Sequence, residues 1–479
     1  MGVFVLHAGQ PELSSFLRLL RVPSGTALPS AGPGAERWTV LSFRGTDAAQ
    51  PPEASGVSQP AHAVRRALNA RLRRADLRRH GLRAPDPRGE GRGALVRRFV
   101  VPVFGPDALG VYAPDGAAGS ALAAGPIRGR LAPVPAGADG RYPTAARRAE
   151  RAAVRAVYAL GLDYAVVVVR LDADGQPLIA SIDPTPMAAA GPFAASFAEA
   201  VNRLQAQLDE DRSATRTLLF GMDPEFVLRR AGPDGTSKIV PASRYFDRRG
   251  VVGCDSVRIG DRLAYPLAEL RPSPAAEPQE LLRNLYAAMR LAASRIDDAG
   301  LEWLAGGMPA PGLALGGHIH VSGVGLNADL LRALDNYVAL PLALLEDSAS
   351  ARRRPRYGAL GDFRRQFHGG FEYRTLPSWI VSPAVALGVI SLAKVVCEHY
   401  RELRERPLAR VDMQAHYYAG DKDALRPAAL AAWTDLERTA GYARYAKALD
   451  RLKRRIERME PWNGQSDVRA AWKIPPYRV

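Results

Sequence analysis

The sequence predicts an α+β protein of two domains, the second built on one curved antiparallel sheet covered by helices. Three observations predict it. Strand-period alternation recurs between Leu218 and Arg374, the alternating runs are bounded by Gly or Pro, and helical-period stretches stand between them. The texture changes at the polar stretch after residue 212. A chain of 479 residues is long enough for two large domains, so the expected boundaries are 1–212 and 213–479.

Each element follows in order. Residues 1–150 give short apolar runs ("GVFVLHA", "WTVLSF", "RRFVVPVFG") among Ala, Gly, Pro and Arg. Asp47–Ser58 reads as loop, and Gly116–Gly140 as irregular chain with at most short strands. "TAARRAERAAVRAVYALG" reads as a helix, and "YAVVVVRLD", the turn "ADGQP" and "LIASIDPTP" as a hairpin. The helix "FAASFAEAVNRLQAQLDED" leads to a polar link near Arg212–Arg216. From Leu218, "TLLFGMDPEFVLRR", the turn "AGPDGT" and "KIVPAS" form a second hairpin. A loop, "GVVGCDSVRIGDR", and the strand "AYPLAELRP" follow. The helix "PQELLRNLYAAMRLAASRIDDAG" precedes the strand in "LGGHIHVSG", and "NADLLRALDNYVALPLALLED" is the next helix. A basic loop, "GGFEYRTLP" and a mainly helical tail complete the chain. "WIVSPAVALGVISLAKVV" has almost the length of a membrane span. Ser382-Pro383, however, reads as an N-cap followed by proline at the first helical position, and Lys394 falls inside the run, so a buried helix is expected.

Composition narrows the function. Apolar residues make up 47% and charged residues 24%, an ordinary soluble mixture. Cys254 and Cys397 stand far apart without ligand spacing, which argues for a reducing compartment and against structural zinc or a disulfide framework. "MGVFVLHAGQP" lacks the basic start and long apolar run of a signal peptide. A cytoplasmic protein without a membrane partner is expected. The net charge is +16, but only six of the 65 basic residues are lysine, which looks like codon bias as much as electrostatic design. Clusters such as "RLKRRIER" fit solvated helix faces, and no nucleic-acid-binding motif is present. Nucleic acid is therefore not the expected partner.

Chemistry concentrates in four segments, each with polar residues at i and i+2, hence on one strand face. These are Asp223 and Glu225 in "GMDPEF", Glu269 and Arg271 in "AELRP", His318, His320 and Ser322 in "GGHIHVSG", and Glu372 and Arg374 in "FEYRT". As neighbours in one sheet they would crowd four carboxylates together, which repel unless cations sit among them. Oxygen-rich sites with imidazole suit Mg²⁺ or Mn²⁺, and arginines beside them suit phosphate. Taken singly, the same pairs could be cross-strand ion pairs or a solvated face.

In that order, "GMDPEFVL", "AELRPSP", "GGHIHVSG" and "GFEYRTLPSW" resemble the glutamine-synthetase-like carboxylate–amine ligases, and most closely the amidoligases of the phage-type 2 group. "RRRPRYGALGDFRRQFHGGFEYR" is similar too, with an Arg, a Tyr-Gly and a further Arg ahead of the last strand. The resemblance covers roughly Leu218–Tyr400. It implies that Asp223, Glu225, Glu269, His318 and Glu372 hold divalent ions. It puts His320 and Ser322 on the nucleotide side, and Arg354, Tyr357 and Arg364 at nucleotide or acyl phosphate. Arg271 would face substrate or phosphate, and Arg374 would stabilise the transferring phosphoryl group. Asp223 departs from the glutamine synthetase relatives, which often carry Glu there.

The implied reaction is ATP- and Mg²⁺-dependent (or Mn²⁺-dependent) joining of a carboxylate to an amine through an acyl phosphate. The implied partners are those two substrates, small molecules or peptides. The base that deprotonates the amine is open; Asp255 is a candidate. Two other classes stay open: a non-catalytic scaffold on an inactivated ligase fold, and a metal-dependent amide hydrolase. In the first domain, "YAVVVVRLDADGQPLIASIDPTP" resembles the last hairpin of ATP-grasp enzymes. Valines stand where an acidic residue would be, Ser181-Ile182-Asp183 replaces Glu-x-Asn, and residues 1–237 contain no lysine. The resemblance implies a degenerate ATP-grasp-like domain ahead of a glutamine-synthetase-like one with a helical tail.

Overall fold

A computed structural model describes residues 2–28, 38–45, 57–85, 95–114, 130–137, 140–212, 217–232, 236–259 and 262–476. The chain divides into two compact units, Met1–Thr215 and Arg216–Val479. Both mix helices with sheets, several of them antiparallel. The loop expected at Asp47–Ser58, the irregular stretch Gly116–Gly140 and the link at Arg212–Arg216 fall largely outside the described residues.

In the first unit, the short apolar runs Gly2–His7 and Trp38–Phe43 pair in parallel, with Ser24–Gly25 and Val57–Ser58 outside them. The sequence reading did not foresee this sheet. A parallel strand covered on both faces reads as continuous apolar residues without a period, and Gly2–Leu6 is buried throughout. The hairpin Tyr164–Asp172 and Pro177–Asp183 is formed as expected. Tyr164–Asp172 also pairs with Leu95–Phe104, which continues the antiparallel sheet to Tyr112–Pro114 and Leu131–Pro133. The alanine-rich face of the helix Thr144–Ala159 is buried and packs on this sheet. Phe16, Phe43, Tyr164 and Phe197 lie in the core that Ala194–Arg212 helps to close.

The second unit departs from the expectation of one curved sheet. It has two. The first runs Leu219–Met222, Ile319–Ser322, Phe371–Tyr373, Phe363–Arg365. The second runs Ser237–Val240, Glu225–Ala231, Arg262–Leu270, Val252–Ile259, with Leu301–Leu304 also on Glu225–Ala231. The expected continuous strand through "GMDPEF" is broken at Asp223-Pro224, and the chain steps there from one sheet to the other. Proline has no N–H to donate to a ladder, so the break falls where the sequence cannot continue a central strand. The loop expected at "GVVGCDSVRIGDR" is largely the strand Val252–Ile259, paired with Arg262–Leu270 across a bulge near Asp255.

Helices cover this unit. Pro383–His399 is capped by Ser382, whose side chain accepts from Val385 N, and is buried along most of its length. Lys394 pairs with Glu398 at 2.9 Å. No described helix is long and apolar enough to cross a membrane. Ala440–Glu457 packs against Pro383–His399. The turn before the histidine strand is built on close approach: a Cβ on Gly317 would run into the Pro377 carbonyl and the Trp379 indole. That indole donates to Gly317 O at 2.8 Å. Gly317→Ala should therefore destabilise the protein by about 1–3 kcal/mol, measured by urea denaturation with tryptophan fluorescence. An unchanged midpoint would show that the contact gives way without cost.

Candidate active site

The step between the two sheets sets the site. As the chain crosses at Asp223-Pro224, Asp223 N–H donates to His318 O at 3.4 Å and Glu225 N–H to Gly316 O at 3.0 Å. In the first sheet His320 stands opposite Gly221 on one side and Glu372 on the other, and Arg364 stands opposite Glu372. In the second, Glu225 stands opposite Glu269. Residues directly opposite in an antiparallel pair share a face, where like charges repel. The seam thus collects carboxylates from both sheets.

The contacts are short. His318 Nδ1 lies 3.0 Å from Asp223 Oδ1 and 3.3 Å from Glu372 Oε1, and His320 Nε2 lies 3.1 Å from Asp223 Oδ2. The His318 ring occupies the space that a side chain on Gly316 would fill, so the Gly-Gly ahead of it leaves room for both the ring and Trp379. Glu372, 1% exposed, meets Arg374 Nε at 2.9 Å, Arg364 Nη1 at 3.2 Å and Gln366 Nε2 at 3.0 Å. Arg271 donates to Glu269. Gly316 N–H donates to Glu225 Oε2 at 2.6 Å, and Ser378 Oγ to the backbone carbonyl of Glu225.

Charge in the seam is out of balance. Burial raises Glu225 to about 7. Burial, and after it the charge of Asp223, raise Glu269 to about 9. Burial would also raise Asp223, but hydrogen bonds from His318 and His320 outweigh it and hold its carboxyl below the usual range. His318 shows the converse: burial would lower it, while the hydrogen bond and charge of Asp223 lift it. Burial thus favours the protonated form of Glu225 and Glu269, while the two histidines favour the ionised form of Asp223.

The donor set fits a divalent cation. One ligand atom each from Asp223, His320 and Glu372 lie within 4.8 Å of one another. His320 Nε2 and Glu372 Oε1 are buried and, among the described residues, contact only charged side chains of the same cluster, Asp223 for the first and Arg374 and His318 for the second. Carboxylate oxygens with one imidazole match the preference of Mg²⁺ or Mn²⁺. His320, assigned from the sequence to the nucleotide side, belongs geometrically with these donors.

Other expected site residues separate into two groups. A cleft enclosing about 570 Å³, open mouth included, is lined by Glu225, His318 and Arg374 together with Asp255 and Tyr357. Arg354 does not line it. Its guanidinium meets Glu346 at 3.2 and 2.9 Å and lies over Tyr417, so the structure places Arg354 in a buried pair beside the expected ligand contacts, not on the cleft wall. Ser322 lies beside Gly370, off the cleft. The sequence reading missed Arg353 and Asp362 on the cleft wall and Gln366 on Glu372. No signal in the run "RRRPR" tells Arg353 from Arg354.

Residues 220–474 match the family model described as phage phiEco32-like COOH.NH2 ligase-type 2. The chain belongs to this family. No curated protein matches it. Three solved structures are loosely similar. The bifunctional glutathione synthetase from Pasteurella multocida shares 13% identity at a TM-score of 0.33, over 56% of this chain and 52% of the synthetase. This chain therefore matches only about half the length of that enzyme. The ATP-grasp ligase PsnB, complexed with minimal precursor, shares 12% at 0.26, over 42% of this chain and 98% of its own. The complex between the prokaryotic ubiquitin-like protein Pup and its ligase PafA shares 11% at 0.34, over 52% and 66%.

For this member of the ligase family, Mn²⁺ should raise the thermal midpoint saturably, with about 2.7 kcal/mol of stabilisation at a hundredfold excess over Kd. Asp223→Asn and Glu372→Gln should remove the shift. A shift that survives both substitutions would place the ion elsewhere.

Proposed function

We propose that the protein is an ATP- and Mg²⁺-dependent carboxylate–amine ligase working through an acyl phosphate. The observation that carries this reading is the seam, where Asp223, Glu225, Glu269 and Glu372 crowd beside two histidines and are bordered by Arg271, Arg364 and Arg374. The family assignment supports the reaction class.

Asp223, His320 and Glu372, with Glu225 and Glu269 beside them, would hold the divalent ions, which when bound neutralise phosphate charge and polarise the transferring group. In the first step a carboxylate oxygen of the substrate attacks the γ-phosphorus of ATP, and the bond to ADP breaks with its electron pair leaving on ADP. Arg374 and Arg364 flank Glu372 and are assigned to the equatorial phosphoryl oxygens, where fixed guanidinium charge favours the transition state. His318, held by Asp223, orients the carboxylates. In the second step the amine nitrogen attacks the acyl carbon, and phosphate leaves with one of the original carboxylate oxygens. The amine's surplus proton needs a base. Asp255 stands on the cleft wall, with Oδ1 accepting from Ser256 N–H at 2.7 Å, and is the group we assign.

The architectural reading is part of the same proposal. The second unit is taken as glutamine-synthetase-like. The first is taken as a degenerate ATP-grasp-like unit whose last hairpin, Tyr164–Asp172 with Pro177–Asp183, has lost its metal-binding acids and holds substrate or partner.

Incubation with ATP, Mg²⁺ and a pool of amino acids and peptides should release ADP and phosphate in step with amide formation. Glu225→Gln or Glu372→Gln should lower turnover by about 10²-fold or more while leaving the fold intact by circular dichroism. Asp255→Asn should slow amide formation more than ADP release. A product formed without ATP would favour the hydrolase, and absence of any ATP-dependent turnover would favour the scaffold.

A further inference from the structure

The chain after the last long helix is a strap across the second unit. Trp462 N–H donates to Leu345 O at 2.9 Å, Trp303 N–H to Asp467 Oδ1 at 3.3 Å, and Trp472 Nε1 to Ile380 O at 2.7 Å. Trp462, Trp472 and Ile474 are buried. Gln465, in the middle of the strap, is exposed. Its Oε1 accepts from Arg229 Nη1 at 2.7 Å, its backbone O from Arg229 Nη2 at 3.0 Å, and its Nε2 donates to Pro309 O at 2.7 Å. A guanidinium only donates and a carbonyl only accepts, so the amide of Gln465 has one orientation here.

Pro309 belongs to the loop 306–316, which forms a small, apolar wall of the cleft through Gly312, Ala314 and Leu315. A single strand holds that loop at both ends. Glu225, Val227 and Arg229 share a face of Glu225–Ala231 by strand period. At the seam end, Glu225 Oε2 accepts from Gly316 N–H. In the middle, Leu313 and Leu315 pack in one cluster with Val227, Leu267 and Leu304. At the far end, Arg229, fixed by Glu302 at 2.8 Å, reaches Pro309 through Gln465. Gly312 takes φ +76° with open space where a side chain would stand, so the tip of the loop is held from its flanks.

We propose that Gln465 is a positioning residue of the cleft. Through Pro309 it sets how far the wall 312–316 stands from Arg374 and His318, and so how closely the cleft fits a substrate. This rests on the ligase reading and gives the C-terminal strap a part in binding the carboxylate and amine substrates. His320 and Glu372 stand on the other sheet, so a displaced wall leaves the nucleotide and cation side as it is.

Gln465→Glu separates the two bonds of the amide. It keeps an acceptor for Arg229, so the strap stays fastened, but sets a carboxylate oxygen against Pro309 O with no proton between them. The full chain is assayed with ATP and Mg²⁺ while the concentration of the amino-acid and peptide pool is varied. The pool concentration giving half the maximal rate should rise about fivefold or more, with the maximal rate and the half-saturating ATP concentration unchanged. Leu313 and Leu315 N–H bond to Ala310 O and Gly307 O, and hydrogen exchange over 307–316 should quicken while the melting temperature stays that of wild type. Wild-type pool dependence and wild-type exchange in Gln465→Glu would overturn the proposal and leave Gln465 a fastener of the tail. A raised half-saturating ATP concentration with the pool dependence intact would also overturn it. A wild-type chain that never turns over ATP would instead overturn the ligase reading, and the exchange over 307–316 alone would then decide whether Gln465 clamps the wall.

Discussion

Glu225 and Glu269 face each other across two hydrogen-bonded strands, and the rest of the second unit answers to that repulsion. Two buried carboxylates in register cannot both ionise without a cation nearby. Local basic groups meet part of the demand: Arg271 takes Glu269, His318 and His320 take Asp223, and Arg374 with Arg364 take Glu372. The proposed ions would meet the remainder. Well-packed apolar residues at these positions would give a more stable sheet, so the arrangement is one that gives up stability to hold charge ready.

The break at Asp223-Pro224 makes the crowding possible. A single flat sheet would spread four carboxylates over strands about 4.8 Å apart. Two sheets meeting at a proline bring Asp223 between the His318–Glu372 side and the Glu225–Glu269 side. Packing then fixes the geometry. Gly316 and Gly317 let the histidine strand lie close to Trp379 and the Pro377 carbonyl, and Trp379 is fully buried. Small residues at the turn, a rigid indole behind it and a proline at the crossing leave the imidazoles little freedom, which serves catalysis by fixed charge.

Much of the site was legible in the sequence because strand period tells which side chains share a face. Asp223, Glu225, Glu269, His318 and Glu372 could be grouped from i/i+2 spacing and the order of the motifs. The two-sheet arrangement was not legible, since spacing reports faces and is silent on which strands pair. Val252–Ile259 read as loop because Gly253 and its polar residues mask an edge strand. The parallel sheet of the first unit was hidden for the opposite reason: buried on both sides, its strands carry no period. Arg353 and Arg354 are adjacent and alike in sequence. Only the fold separates a guanidinium paired with Glu346 from one facing the cleft.

The central claim is that the seam between the two sheets is a cation site serving ATP. The most direct measurement is anomalous diffraction from crystals grown with Mn²⁺ and a non-hydrolysable ATP analogue. The account predicts manganese peaks among Asp223, Glu225, Glu269, His320 and Glu372, with the γ-phosphate of the analogue towards Arg374. Manganese absent from the seam while the analogue is bound elsewhere would contradict it.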